Sequence, residues 1–241
     1  GTILALIITV LVTAGVALTA FSNQSGQFQD GQQQIIDQTI SDSVTLLQIN
    51  IQTLDTDVEI RVSDTARTIS GEFVGSVESD LTLDYAEDAE GRGTFTFSET
   101  PLRDFPILEN IGRGRLELLI PADLPLALAF DGDTGNTLLD MSTISLERLN
   151  VSSADGNIGV TLPEYMPLSP NAAEQPGNII AENGDVTVFV PDSVSVRFEL
   201  NRQGSGIDPQ FDDIRYLYLV GDVLEARDYA DAELRLRYII T

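Results

Sequence analysis

The chain has 241 residues, enough for one anchoring segment and one medium-sized domain, and it carries 38 acidic residues against 13 basic ones. The net charge of −25 repels phosphate backbones, so nucleic acid is excluded as a partner. Histidine and cysteine are absent, which removes disulfides, imidazole and thiolate metal sites and Ser-His-Asp triads. We therefore expect a protein without enzymatic activity, cofactor or metal.

Residues 1–21 form an apolar run without a charged side chain, GTILALIITVLVTAGVALTAF. A helix of this length would be roughly 30 Å long, the thickness of the hydrocarbon core of a bilayer. A secretory signal peptide would have a basic segment and a shorter apolar run, and a plain membrane anchor usually has flanking basic residues. The first arginine here is Arg61. A third interpretation is a processed filament subunit whose charged leader is removed just before Gly1.

The stretch after this run favours the filament interpretation. Residues 22–34 are polar and contain Gly26 and Gly31, which predict a hinge. An amphipathic helix is then predicted to about residue 52, because apolar residues recur at i, i+4, i+8 and i+11, at Ile36, Ile40, Val44 and Leu47. A lipid anchor has no need of a second amphipathic segment, whereas a filament subunit that carries a head does.

The first 50 residues resemble the N-terminus of archaellins and related archaeal-type filament subunits of the type IV pilin superfamily. The apolar run is followed by SNQSGQFQ, and small residues stand at Ala14, Gly15 and Ala17. Bacterial pilins carry a glutamate at the fifth mature position, where this chain has Ala5, which favours the archaellum-like branch. The resemblance implies a leader-peptide peptidase, an assembly platform, insertion in the membrane before assembly, and then a homopolymeric helical filament.

The predicted polymerisation core is the apolar helix. Outside a membrane such a helix must be buried on all sides, and identical helices can do this, with roughly 1.5–3 kcal/mol from each fully buried Leu or Ile. The residues that we assign to the core are Ile3, Leu4, Leu6, Ile7, Ile8, Val10, Leu11, Val12, Val16, Leu18 and Phe21.

Beyond Leu54 the apolar residues alternate with polar ones, as in 58–62, 81–85 and 94–97, which predicts strands. Turns are predicted at the pairs Glu90-Gly91, Asp131-Gly132, Asp155-Gly156 and Asn183-Gly184. The predicted fold class is α+β, with a filament-core helix over 1–52, including the hinge, and an all-β outer head over 53–241.

The second half of the head contains a weak repeat of turn, strand, proline and second strand, at 115–121, 157–163 and 185–191. Proline ends a ladder of hydrogen bonds, so the repeat predicts a β-solenoid, with a β-sandwich as the alternative. Residues 110–241 also resemble bacterial toast-rack families of adhesin-like and envelope-stress domains, in the segments SADGNIGVTLP and ENGDVTVFVP. Those families have no general catalytic activity to transfer to this chain.

The segment from Asp131 to Asn136 resembles a calcium loop, but Gly135 stands at position 5 and Ser142 at position 12, so a solvated turn is the better interpretation. Calcium held between subunits by carboxylates remains an alternative, with Asp212, Asp213 or Asp222 as ligands.

Two N-glycosylation sequons begin at Asn23 and Asn150, of which Asn150 is the favoured acceptor because Asn23 lies at the edge of the predicted core. Asp228 and Asp231 could act as paired carboxylates only in a cleft, which a narrow solenoid does not imply.

These features predict a structural subunit of an extracellular, archaellum-like filament for motility, whose thrust would come from motor proteins elsewhere. The alternatives are an adhesive type IV pilus subunit and a membrane-anchored toast-rack protein that binds a partner at the cell envelope.

Overall fold

The computed structural model describes residues 32–75, 79–101, 113–164, 177–201 and 208–241, and every regular element in these ranges is a β-strand. In chain order the strands are β1 (Gln32–Thr39), β2 (Leu46–Ser63), β3 (Thr68–Gly75), β4 (Ser79–Glu87), β5 (Arg92–Pro101), β6 (Gly114–Pro121), β7 (Leu126–Thr134), β8 (Thr137–Asp140), β9 (Leu146–Asp155), β10 (Ile158–Thr161), β11 (Gly177–Asn183), β12 (Val186–Phe189), β13 (Ser195–Leu200), β14 (Tyr216–Leu219), β15 (Val223–Ala226) and β16 (Arg235–Ile240).

The strands form two layers that share β2. The first half of β2 pairs with β5 and β7, and its second half pairs with β6 and β8. The long sheet has the order β4-β5-β2-β7-β9-β11-β16-β13-β15-β14, and the short sheet has the order β1-β3-β6-β2-β8-β10-β12. The chain from β7 to β12 therefore winds in parallel coils, each with one strand in the long sheet, a corner, and one strand in the short sheet, and β2 does the same within one strand.

The core lies between the two sheets. Alternate residues of each strand point inward, and the long and short sheets contribute apolar side chains that pack face to face. These buried residues include Ile49, Ile51, Leu128, Phe130, Leu149, Val151 and Ile179 from the long sheet and Val58, Ile60, Leu139, Ile158 and Val160 from the short sheet.

The corners of successive coils stack closely. Gly156 has a φ of 147°, and a Cβ on it would lie 2.0 Å from the carbonyl oxygen of Gly135 in the preceding coil. Asn136 Oδ1 accepts the backbone N–H of Asn157 at 3.1 Å, and Asn157 Oδ1 accepts that of Asp185 at 2.9 Å. This ladder of side chains holds the coils in register, while glycine permits the backbone to pass from one sheet to the other.

A buried carboxylate fixes the point where β2 crosses between the sheets. Glu99 is 2% exposed and accepts hydrogen bonds from Ser79 Oγ at 2.6 Å, Thr56 Oγ1 at 2.7 Å and the backbone N–H of Leu54 at 3.0 Å. Buried charges persist when such bonds replace their hydration. The side chain of Glu99 thereby connects β5 and the first residue of β4 to the bend in β2.

The prediction of a helix up to residue 52 is wrong for its described part, which forms β1, a connection over residues 40–45 and the start of β2. A spacing of four residues fits one face of a helix, but only Ile36 lies in a strand here, and Ile40 and Val44 lie in the connection between β1 and β2. All three are buried in the core. The α+β class is therefore wrong, and the described chain is all-β.

The predicted core helix over residues 1–21 and Asn23 lie outside the described residues. Within the ranges that the structure describes, no helix has the length and apolar character to span a bilayer.

One predicted turn is also wrong. Asp131 and Gly132 lie inside β7, and the corner comes three residues later, at Gly135. Gly132 instead gives room to a neighbouring ring, because a Cβ on it would lie 2.8 Å from Phe130 Cζ. The glycines of the other three predicted turns, Gly91, Gly156 and Gly184, lie between strands.

Candidate functional site

The long sheet ends in an apolar strand. β14 is its last strand and pairs with β15 alone among the described strands. Leu217 and Leu219 are 38% and 37% exposed, and Val220, in the turn that follows, is fully exposed. Contiguous exposed apolar side chains on a soluble domain mark an interaction surface. We call this surface the apolar end and define it as Phe211, Ile214, Leu217, Tyr218, Leu219 and Val220.

The apolar end is anchored from beneath. Tyr216 is buried, and its ring lies 6.5 Å from that of Phe198 in the core. Because side chains alternate along a strand, Leu217 must then point to the outer face. Tyr218 lies on the same face of β14 as Tyr216, and its ring stacks on that of Phe211 with the ring centroids 6.2 Å apart. The strand is therefore held in place while its apolar side chains face solvent.

Two arginines brace the loop before β14. Arg227 donates from Nε to the carbonyl oxygen of Ile214 at 2.8 Å and from Nη2 to that of Asp213 at 3.0 Å. Arg215 donates to the carbonyl oxygen of Val190 at 2.9 Å. Residues 208–228 contain six acidic residues and these two arginines, so the apolar end lies in a negative field.

An ion-pair network lies beside the apolar end on the outer face of the long sheet. Arg237 donates to both carboxylate oxygens of Glu199 at 2.9 Å, and Arg197 donates to Glu225 at 2.8 Å. The hydrogen bonds from Arg237 lower the pKa of Glu199 below its ordinary value. This network lies between the apolar end and a groove on the same outer face of the long sheet.

The groove is shallow, has a volume of about 500 Å³ and runs across β5, β2, β7, β9 and β11. We call it the polar groove. Amide side chains line it from three strands, and two small or apolar side chains form part of its floor. The amides are those of Asn50, Gln52, Asn150 and Asn178, and the floor residues are Ala129 and Ile180.

Asn150, the favoured glycosylation site, lies in the polar groove. It is half-buried, and its Oδ1 accepts a hydrogen bond from Asn178 Nδ2 at 3.2 Å. Glycosylation at Asn150 stays a prediction.

The other candidate acids are dispersed. Asp212 Oδ1 accepts the backbone N–H of Ile214 at 2.9 Å, and Asp222 accepts the hydroxyl of Tyr218 at 2.6 Å. Asp228 accepts a hydrogen bond from Ser195 Oγ. No group of three or more acidic residues that could hold a metal is found within the described ranges.

Neither the apolar end nor the polar groove was predicted from the sequence. The apolar end had a local signal, because Tyr216 to Val220 is an apolar run without the polar alternation of a half-buried strand. The polar groove had none, because its side chains come from five strands whose order in the sheet is not encoded locally.

Neither a family model nor a curated protein sequence matches the chain. A crystal structure described as a putative cell adhesion protein from Clostridium sporogenes is similar in fold, with a TM-score of 0.67 and 15% sequence identity. The similarity covers 87% of this chain and 94% of that chain. At this identity the likeness shows the fold alone.

The expected membership of the archaellins or the type IV pilin superfamily is wrong. The similar structure is not described as an archaellin or a pilin, and the described residues of this chain form no helix. The resemblance depended on an uncharged apolar run and on a helical pattern after it, and the residues of that pattern lie in β1, in the connection after it and in the start of β2.

Proposed function

We propose that this protein is a non-enzymatic binding protein of the cell surface, which holds another protein at its apolar end. The exposed strand β14, with Leu217, Leu219 and Val220 facing solvent, carries the proposal. A partner-binding envelope protein was one of the alternatives predicted from the sequence. The description of a structurally similar protein as a cell adhesion protein is compatible with this role.

The partner is a different protein rather than a second copy of this chain. Each copy carries a net charge of −25, and residues 208–228 are themselves acidic, so two apolar ends would repel each other. A partner with an apolar segment flanked by Lys or Arg would complement both the apolar side chains and the surrounding charge. Electrostatic attraction would speed the encounter, and burial of the leucines would stabilise the complex.

The expected affinity is modest. Full burial of an exposed leucine or valine is worth about 1.5–3 kcal/mol, but Leu217 and Leu219 are already more than half covered, and only Val220 is fully exposed. Association also costs several kcal/mol in lost translational and rotational freedom. A dissociation constant of about micromolar order is therefore expected for a single segment.

Selection of peptides tests this proposal. Random 12-residue peptides displayed on phage would be selected on the 241-residue chain, and the affinity of the best peptides measured by fluorescence anisotropy. We expect apolar peptides with Lys or Arg flanks, whose binding weakens by at least about tenfold in the double variant Leu217→Ser/Leu219→Ser. Binding should also weaken as salt rises.

The matched control is Leu119→Ser, because Leu119 is a leucine with 39% exposure on the outer face of the short sheet. This variant should bind the peptides as the unmodified chain does. The proposal fails if no peptide is recovered, or if the double variant retains full affinity for the peptides that are recovered.

The filament-subunit role stays a prediction, because its proposed core, residues 1–21, lies outside the described residues.

A further inference from the structure

We infer that the polar groove on the outer face of the long sheet is a second binding site, for an uncharged polyhydroxylated chain such as a neutral oligosaccharide. This inference does not depend on the proposed function of the apolar end. It rests on the register of five neighbouring strands, which aligns hydrogen-bonding side chains in rows across the sheet.

The first row crosses all five strands. Thr96 lies opposite Asn50, Asn50 opposite Ala129, Ala129 opposite Asn150, and Asn150 opposite Asn178. Neighbouring strands are about 4.8 Å apart, so the row is roughly 20 Å long and offers a polar side chain at nearly every step. The short side chain of Ala129 leaves a depression in the middle of the row, with space for a ligand.

A second row runs parallel to the first, two residues further along each strand. Gln52 lies opposite both Ser98 and Asp131, and Asp131 lies opposite Ser152. The carboxylate of Asp131 forms no hydrogen bond with any described residue and is exposed. Ile180 ends this row with an apolar surface.

The chemistry of these rows matches hydroxyl groups. An amide side chain offers both donors and acceptors, and a sugar hydroxyl does the same, so each can satisfy the other. The Asp131 carboxylate can accept from adjacent hydroxyls, and Ala129 and Ile180 can contact the C–H groups of a sugar ring. A linear ligand that lies across the strands would meet the same chemistry at each step.

Other ligand classes fit less well. None of the described residues that line the groove is an arginine, and the net charge of −25 disfavours an anionic polymer. A peptide strand gains its main-chain hydrogen bonds at the edge of a sheet, whereas the groove lies on a sheet face. The described aromatic residues of the lining, Phe97 and Phe130, are buried and offer no platform for stacking, so the expected affinity is about millimolar.

The test is a nuclear magnetic resonance titration of the ¹⁵N-labelled 241-residue chain with cellohexaose, maltohexaose and the hexamer of N-acetylglucosamine. Hexagalacturonate serves as the anionic control. We expect at least one neutral hexasaccharide to shift amide signals in β2, β7 and β9. The variant Ala129→Gln fills the space above Ala129 in the middle of the groove and should weaken that binding by at least about tenfold.

The matched control is Ala127→Gln, which adds the same side chain two residues away on the same face of β7, outside the groove. It should bind the sugar as the unmodified chain does, and so should Leu217→Ser/Leu219→Ser, which separates this site from the apolar end. The inference is overturned if no neutral hexasaccharide binds at about 10 mM. It is also overturned if Ala129→Gln has no effect, or if hexagalacturonate binds equally well.

Discussion

Asn157 Oδ1 accepts the backbone N–H of Asp185, one coil further along the chain, at 2.9 Å. Asn136 has the same relationship to Asn157, and Asp57 Oδ1 accepts the N–H of Asn136 at 2.8 Å. Each corner side chain thus satisfies a backbone donor that leaves the regular ladder as the chain passes between sheets. The coils are held in register at their corners as well as along their strands.

Replacement of Asn157 by alanine should lower the free energy of unfolding by about 1–2 kcal/mol, because the N–H of Asp185 loses its acceptor. Asn157→Asp should cost less, since an aspartate already fills this role at Asp57. Urea denaturation followed by circular dichroism measures both. Equal stability of Asn157→Ala and the unmodified chain would contradict a stabilising ladder.

The stacked glycine corners should not tolerate a side chain. In Gly156→Ala the new Cβ would lie 2.0 Å from the backbone of Gly135, so we expect a loss of about 3 kcal/mol or more in the free energy of unfolding. Gly221→Ala is the matched control, because its φ is also positive but nothing lies within 4 Å. It should lose only about 1–2 kcal/mol. Comparable losses in thermal denaturation would argue against close stacking at the corner.

The buried carboxylate of Glu99 should be sensitive to truncation. Glu99→Ala leaves the donors of Ser79, Thr56 and Leu54 without their acceptor, so we expect a loss of about 3 kcal/mol or more in the free energy of unfolding. Glu99→Gln keeps one acceptor oxygen and should lose less. Chemical denaturation of the two variants measures the difference, and a stable Glu99→Ala would show that the crossing of β2 needs no such anchor.

The ion pair of Glu199 and Arg237 should raise the free energy of unfolding at neutral pH and lose this effect in acid. Because the pKa of Glu199 is lowered in the folded state, the gain is complete above the ordinary glutamate pKa of about 4.3. It is lost as the pH falls through the lower folded-state pKa. Glu199→Gln should therefore lower the free energy of unfolding by about 1 kcal/mol at pH 7, and the difference should shrink below about pH 4.3.

Glu182→Gln is the control for this pH dependence, because Glu182 is exposed on β11 and forms no ion pair with a described residue. Its stability should follow that of the unmodified chain from pH 7 to pH 3. A Glu199→Gln variant whose deficit persists unchanged at pH 3 would show that the ion pair is not its cause.

Much of the β-structure could be predicted from the sequence. The alternating segments from Val58, Leu81 and Thr94 lie in β2, β4 and β5. The inward apolar residues of β2 have odd numbers up to Ile51 and even numbers from Val58. This change marks the crossing of β2 from one sheet to the other. Local alternation reports which face of a strand is buried, and such patterns are reliable where one face meets a core.

The neighbours of each strand could not be predicted. β16, the last strand in the chain, lies between β11 and β13, and nothing in Arg235–Ile240 signals that position. The polar groove depends on such long-range order, because Asn50 and Asn178 are brought together by strands far apart in the chain. The spacing of Ile36, Ile40 and Val44 fits a helix, but it arises from β1 and the connection after it, whose apolar side chains are buried in the same core.

The most direct test of the central claim is site-specific photo-crosslinking in cells that make the protein. A benzophenone amino acid would replace Leu217 in the apolar end or Leu119 on the short sheet, two leucines of nearly equal exposure. We predict a discrete adduct only at position 217, with a protein whose crosslinked segment is apolar and flanked by basic residues. Adducts of equal yield at both positions, or none at position 217, would contradict the assignment of the apolar end as the binding surface.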